Sequence, residues 1–162
     1  MEKIIYRPIG VIRTSFKNPA GTPIQASGAQ GTQGKAEIFP RYSKGLKDLE
    51  GFSHVILIYH FHLIKSFRLL AKPFLDDEEH GIFSIRGPSR PNAIGLSIVQ
   101  LEKIKDSVLF FKDADMVDHT PLLDIKPFIP AFDHRKVKKI GWLNGKLQKL
   151  PHSRDDGRFV RK

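Results

Sequence analysis

The chain has 162 residues, no cysteine, and a formal net charge of +10 from 27 basic and 17 acidic side chains. This length predicts one domain, since domains average about 150 residues. The lack of cysteine excludes a disulfide framework, a thiolate metal site and a cysteine nucleophile, and the 40% of apolar residues excludes a disordered chain.

Seven short runs rich in β-branched and aromatic residues, bounded by Gly or Pro, predict strands. They span residues 4–12, 35–39, 54–63, 81–85, 94–104, 107–112 and 122–128. A hairpin is predicted at 102–111 with its turn at 105–107, and weak helical patterns cover 42–49 and 64–71. Many short strands with few, short helices predict a mainly β protein, a small closed or partly open β-barrel, with a sandwich as the alternative.

The chain carries no membrane signal. Its longest apolar run, residues 55–64, is interrupted by two histidines and falls short of the roughly 20 residues that a membrane-spanning helix needs. The N-terminus has no apolar signal-peptide core. We therefore expect a soluble, cytoplasmic protein with no membrane partner.

Three histidines are candidate metal ligands. If residues 54–63 form one strand, His54, His60 and His62 share a face, because strand side chains alternate. An H-x-H pair binds a first-row metal when a third ligand joins it, and hydrogen-bonded histidines at a strand end are the alternative. With no cysteine and no neighbouring carboxylate, we expect no metal.

Three further stretches are rich in polar and turn residues. The long loop at 17–34 suits either a solvated turn or a functional loop. Residues 83–97 place Arg86 and Arg90 in a rigid Gly/Pro loop, and arginine recognises carboxylate or phosphate. Residues 115–127 contain Asp118 and Thr120, which suit a tight turn or the binding of an amine or hydroxyl.

Three segments resemble a known family in the same order: GLKDLEGFSHV at 45–55, RPNAIGLS at 90–97 and TPLLDIKP at 120–127. The chain resembles, over residues 9–133, the S-adenosylmethionine-dependent tRNA methyltransferases called TrmO, YaeB-like or TsaA-like. The resemblance implies a homodimeric β-barrel with S-adenosylmethionine in a pocket at the barrel mouth. The implied activity is methylation of N6 of threonylcarbamoyl-modified adenosine at position 37 of tRNA, beside the anticodon.

The family's site residues carry over to several places in this chain. The implied cofactor-binding residues are Pro23, Ile24, Gln25, His62, Leu63, Arg86, Leu96, Asp118, His119, Thr120 and Pro121. Those implied for substrate binding are Arg90, Asn92 and Lys126. Because the acceptor nitrogen loses a proton during methylation, a base would help, and the candidates are Asp118, His119 and His62.

The sequence departs from the family pattern in three ways. In the arginine loop, Ile85 replaces the usual Thr before the first arginine, and Gly87 replaces the usual Ser or Thr after it. Ala93 replaces the usual Pro after Asn92. His119 stands where the family has Gly, and His tolerates a positive φ at some cost. In place of the further C-terminal domain of bacterial members, we expect only a basic tail.

The positive charge is concentrated in that tail. Residues 134–162 hold 10 basic and 2 acidic side chains, while residues 1–133 have a net charge of +2. We therefore expect a barrel domain at 1–133 and a basic extension at 134–162, frayed beyond Pro151. The extension either binds tRNA phosphates in a salt-dependent way or only keeps the protein soluble.

Three other functions stay open from the residues alone. One is a non-enzymatic RNA-binding barrel with exposed aromatic side chains. Another is a metal-dependent barrel enzyme that uses His60 and His62. The third is a related methyltransferase that acts on a small molecule.

Overall fold

A closed barrel of six antiparallel strands forms the body of the protein, in a computed structural model that describes residues 3–160. The strands in chain order are β1 Gly10–Thr14, β2 Gly34–Ile38, β3 His54–His60, β4 Leu70–Ala71, β5 His80–Gly81, β6 Ile94–Lys105, β7 Val108–Lys112 and β8 Thr120–Pro127. The barrel order is β1-β2-β7-β6-β3-β8, and β4 pairs with β5 in a separate small sheet. The barrel closes because β8 pairs with both β3 and β1.

The helical parts of the described chain are short. A single turn of α-helix, α1, spans Pro130–Asp133. The 3₁₀ turns are Ala26–Gly28, Pro40–Leu46, Leu49–Gly51, Ile82–Ser84, Gly141–Leu143 and Leu147–His152. No helix within residues 3–160 is both long and apolar enough to cross a bilayer.

The barrel interior is filled by alternate side chains of its strands. In β3, Val55 and Leu57 are fully buried, while the alternate residues Ile56 and Ile58 stay partly exposed on the outside. The same cluster contains Ile12, Val99, Leu109, Phe111 and Leu122. This alternation is why the mainly β fold could be predicted from the sequence.

The predicted hairpin is confirmed. Strands β6 and β7 pair up to Lys105 and Val108, and the two residues between them, Asp106 and Ser107, have φ angles of 48° and 68°. Positive φ at both central residues is typical of the type I′ turn, whose twist matches that of the flanking strands.

Two predicted elements are wrong. Residues 64–71 form no helix, and Phe67, Leu69 and Leu70 are exposed, so a helix there would bury no apolar face. Residues 81–85 contain only the end of β5 and a 3₁₀ turn. Ile82 and Ile85 are buried in a second cluster against C-terminal aromatic residues rather than in the barrel.

Two other elements differ in extent. The first strand begins at Gly10 rather than residue 4, because its partner β2 ends opposite Gly10 at Ile38. The helix expected at 42–49 is replaced by two 3₁₀ turns, Pro40–Leu46 and Leu49–Gly51.

The C-terminal segment folds back onto the barrel loops, so the predicted fraying beyond Pro151 is wrong. The Asp155 amide donates to the Thr22 carbonyl at 2.8 Å, and the Gly21 amide donates to the Asp155 carbonyl at 2.7 Å. Arg158 Nη1 donates to the Pro73 carbonyl at 2.9 Å. We call residues 141–160 the strap, because they cross the loops at one end of the barrel.

Candidate functional site

A pocket of about 670 Å³ lies at the barrel mouth where β3 ends and β6 and β8 begin. Its walls come from the loop after β1, the segment after β3, the loop before β6, the turn before β8, and the strap. A pocket of this volume is typical of a small-molecule site.

The pocket gathers most of the residues that the family resemblance implies for the cofactor. Those that line it are Pro23, Ile24, Gln25, His62, Leu63, Arg86, Leu96 and Thr120. Those that do not are Asp118, His119 and Pro121. Among the residues implied for substrate binding, Arg90 lines the pocket, whereas Asn92 and Lys126 do not.

Asp118 is buried beside β1 and already has partners. Its Oδ2 accepts a hydrogen bond from Lys17 Nζ at 2.5 Å, and its Oδ1 accepts one from the Thr14 amide at 3.2 Å. Burial raises the pKa of this carboxyl, but the hydrogen bonds from Lys17 and Thr14 outweigh burial and lower the net pKa. A carboxylate of this kind is a weak proton acceptor at neutral pH.

His119 occupies the left-handed backbone region with a φ of 64°, as expected where the family has glycine. Its exposed side chain lies against Arg13, with 2.6 Å between Nδ1 and the Arg13 Nη1. Of the three candidate bases, His62 alone lines the pocket.

His62 lies beyond the end of β3, so the predicted common strand face holds for His54 and His60 but not for His62. Burial lowers the pKa of His62, and the neighbouring His60 and His119 lower it further. The imidazole is therefore neutral at pH 7 and keeps a nitrogen that can accept a proton.

The metal-enzyme alternative lacks a third ligand in the part of the chain that the structure describes. No group of three histidine or acidic side chains within residues 3–160 is arranged to hold a metal ion. The His60 ring nitrogen Nδ1 instead lies 3.1 Å from the Ala93 carbonyl oxygen.

The two loop arginines have different contacts. Arg90 Nη1 donates to the carbonyls of Ile82 and Ile85 at 2.9 and 2.8 Å, which braces the loop. Arg86 is exposed on the pocket wall, and its Nη2 donates to the Leu96 carbonyl at 3.2 Å. Because a guanidinium has five N–H donors, Arg86 keeps donors for an anionic group in the pocket.

A polar chain at the inner end of the pocket was not predicted from the sequence. The Tyr59 hydroxyl lies 3.0 Å from Ser97 Oγ, and Ser97 Oγ donates to Asp115 Oδ1 at 2.6 Å. Tyr59 fits because its β6 partner is Gly95, where an added Cβ would lie 2.2 Å from the ring. The available signal was that Tyr59 and Ser97 occupy inward strand positions, where polar groups are unusual.

The strap supplies one wall of the pocket. Its lining residues are Trp142, Leu143, Leu147, Leu150, Asp155, Phe159 and Val160. The Trp142 ring stacks on His80 with centroids 4.7 Å apart, and its Nε1 donates to the Ser84 carbonyl at 2.8 Å. Lys146 pairs with Asp76, which also lies 3.0 Å from His80 Nε2.

Comparison with known proteins identifies the family. The model of the tRNA-methyltransferase O N-terminal domain matches residues 11–134. This chain belongs to the TrmO N-terminal domain family. The family resemblance of the three sequence segments is thereby confirmed, and the strap lies beyond the matched residues.

Relatives and a solved structure agree with TrmO membership. A probable S-adenosyl-L-methionine-binding protein of Pyrococcus abyssi is 53% identical over 156 residues, 96% of this chain and 85% of that protein. A tRNA (adenine(37)-N6)-methyltransferase of Mus musculus is 37% identical over 137 residues, 80% of this chain and 32% of that protein. The crystal structure of TrmO from Pseudomonas aeruginosa matches with a TM-score of 0.73 and 32% identity, covering 87% of this chain and 63% of that chain. The TrmO-like chain thus spans about a third of the mouse relative.

The contact of Asp76 with the strap predicts that strap docking depends on pH in strong acid. Hydrogen bonds from Lys146 and His80 hold the pKa of Asp76 far below its ordinary value of 3.8. A carboxyl with a lowered pKa stabilises the folded form above its ordinary pKa and loses that effect as the pH falls through the lowered pKa. Trp142 is the chain's single tryptophan. Its wavelength of maximum emission is therefore expected to stay constant from pH 7 to about pH 4 and to shift to the red below about pH 3.

The variant Asp76→Asn is expected to show a red-shifted Trp142 emission already at pH 7. The matched control is Asp77→Asn, which removes a fully exposed carboxylate beside it and leaves the spectrum unchanged. An Asp76→Asn spectrum identical to that of the unmodified chain contradicts this account of strap docking.

Proposed function

We propose that this chain binds S-adenosylmethionine at the barrel mouth and methylates N6 of adenosine 37 in tRNA. One observation carries the proposal: in a member of the TrmO family, eight residues implied for the cofactor converge on one pocket. The acceptor is the threonylcarbamoyl-modified form of the adenosine, and a tRNA substrate makes the cytoplasm the place of action.

The residues present fit this cofactor. The volume of about 670 Å³ is within the range of small-molecule pockets. Apolar side chains such as Ile24, Leu63 and Leu96 line the pocket and suit an adenine ring. Arg86 suits the carboxylate of an amino acid, since a guanidinium binds a carboxylate through two parallel hydrogen bonds.

Positioning and proton removal are the tasks left to the protein. S-adenosylmethionine supplies an electrophilic methyl group, so no side chain has to form a covalent bond. Phe83 lines the pocket and is 76% exposed, which offers a ring on which the acceptor base stacks. Neutral His62 accepts the proton that N6 loses, and correct alignment of the reacting atoms supplies much of the acceleration.

The basic run that precedes the strap is the proposed contact for tRNA phosphates. Arg135, Lys136, Lys138 and Lys139 are all exposed. The strap that follows them is packed into the pocket wall. The charged run therefore holds cationic side chains beside the site, where phosphate neutralisation releases counterions and favours binding.

A homodimer is the proposed assembly. Ile94, Leu96 and Ile98 project from the outer face of β6 and are 39%, 44% and 39% exposed, and Ile56 and Ile58 extend this apolar surface on β3. A second copy would cover the surface and come close to the pocket, since Leu96 also lines it. The solution mass of the full chain, measured by sedimentation equilibrium, is expected to be twice that of one chain.

Calorimetry and nucleoside analysis test the function. Titration of the full chain with S-adenosylmethionine is expected to give saturable binding to one site per chain. Incubation with tRNA that carries threonylcarbamoyladenosine should then add one methyl group at N6 of that nucleoside, measured by mass spectrometry. A His62→Gln variant should lose about 100-fold or more in turnover when it is measured at saturating S-adenosylmethionine.

The outcomes separate the parts of this proposal. Absence of cofactor binding by the unmodified chain contradicts the function as a whole. If only unmodified adenosine 37 is methylated, the threonylcarbamoyl form is not the substrate, but the methyltransferase activity stands. Full turnover of His62→Gln contradicts the role of His62.

A charge-neutralising variant tests the tRNA contact better than truncation, because removal of the strap would also remove a pocket wall. The double variant Lys138→Gln/Lys139→Gln is expected to lower the slope of log K against log salt for tRNA by about one to two. The matched control, Lys44→Gln/Lys47→Gln, removes two exposed lysines away from the pocket. If both double variants show the same slope of log K against log salt, the proposed tRNA contact is wrong.

A further inference from the structure

Asp115 is a carboxylate in the pocket wall without a cationic partner among residues 3–160. The ion pairs in this part of the chain involve other carboxylates. Its one side-chain hydrogen bond comes from Ser97, and Arg86 is near enough to lower the pKa of Asp115 but forms no ion pair with it.

The hydrogen bonds around Asp115 favour its charged form. Because Ser97 donates its proton to Asp115, the Tyr59 hydroxyl has to donate to Ser97 Oγ, so both hydroxyl dipoles point toward the carboxylate. Backbone N–H groups of Ala26 and Asp115 also donate to the carboxylate. The carboxylate is thus held by hydrogen-bond donors, whereas no cation among the described residues forms an ion pair with it.

Burial makes this arrangement costly in the absence of a ligand. It raises the pKa of Asp115 to about 6, against the lowering effects of Ser97, backbone hydrogen bonds and Arg86. The group is therefore mostly ionised at pH 7. A desolvated carboxylate without a counter-charge destabilises a fold, and a cationic ligand in the pocket removes that penalty.

The neighbours of Asp115 belong to the cofactor side of the pocket. Ser97 follows Leu96, Ala26 follows Gln25, and Arg86 is itself a pocket residue. We propose that Asp115 binds the positive charge of S-adenosylmethionine, carried by its sulfonium or by its α-ammonium group. This inference rests on the proposed function, because it takes the barrel-mouth pocket as the cofactor site.

Ligand discrimination tests the role of Asp115. Calorimetry compares three probes: S-adenosylmethionine with both cations, S-adenosylhomocysteine with the ammonium alone, and 5′-methylthioadenosine with neither. Asp115→Asn is expected to weaken S-adenosylmethionine binding about 10- to 100-fold, as for a charge-assisted contact, and to change 5′-methylthioadenosine binding less than about threefold. The control Asp124→Asn removes the same charge outside the pocket and should change none of the three affinities.

The response of S-adenosylhomocysteine locates the cation. An equal loss for S-adenosylhomocysteine assigns Asp115 to the ammonium, and an unchanged affinity for it assigns Asp115 to the sulfonium. Equal losses for all three probes, or no loss for any, overturn the inference. If the unmodified chain fails to bind S-adenosylmethionine, the proposed function fails instead.

Ser97→Ala keeps the inference testable if Asp115→Asn does not fold. The unmodified chain should lose affinity for S-adenosylmethionine as Asp115 is protonated near pH 6. The other ionisable side chains that line the pocket are Tyr59, His62, Arg86, Arg90 and Asp155. Loss of the Ser97 hydrogen bond raises the pKa of Asp115, so Ser97→Ala should begin to lose affinity at a higher pH. An identical pH profile for both proteins overturns the inference.

Discussion

Closure of the barrel through β8 is the constraint on which the site depends. Because β8 pairs with β1 on one side and β3 on the other, the start of β8 is held beside the end of β1 and the end of β3. The antiparallel order brings the start of β6 to the same mouth. Four polar stretches that are far apart in sequence therefore meet around one pocket, and the closed ladder fixes their positions.

The polar residues around the barrel mouth differ in their contacts. Lys17 and Thr14 hold the Asp118 carboxylate outside the pocket. Arg90 lines the pocket and braces its loop through Nη1, which donates to the carbonyls of Ile82 and Ile85. The near-neutral barrel supplies the proposed cofactor site, and the basic run before the strap adds positive charge to the chain beside it.

The barrel strands and the hairpin could be predicted because they depend on local alternation and turn chemistry. Alternate burial in β3 and the turn at Asp106 and Ser107 each depend on residues that are adjacent in sequence. Most of the cofactor residues that the family resemblance implies line the pocket, and His119 adopts the positive φ that its place in the motif requires.

The remaining features depend on distant contacts. Ile82 and Ile85 read as a strand, but they are buried by Trp142 and Phe159, which lie more than 50 residues later in the chain. The sequence predicts only a charged tail for the strap, because the apolar residues of the strap are few and irregularly spaced. The partnership of Tyr59, Ser97 and Asp115 needs the three-dimensional pairing of β3 with β6, and no local pattern contains it.

We propose that S-adenosylmethionine binds in the barrel-mouth pocket, which has the strap as one wall. Trp142 is the single tryptophan of the chain and lines this pocket, so its fluorescence during a titration with S-adenosylmethionine reports binding at that place. We expect a saturable change in Trp142 emission that gives the same dissociation constant as calorimetry. Calorimetric binding with no change in Trp142 emission would place the cofactor elsewhere and contradict the claim.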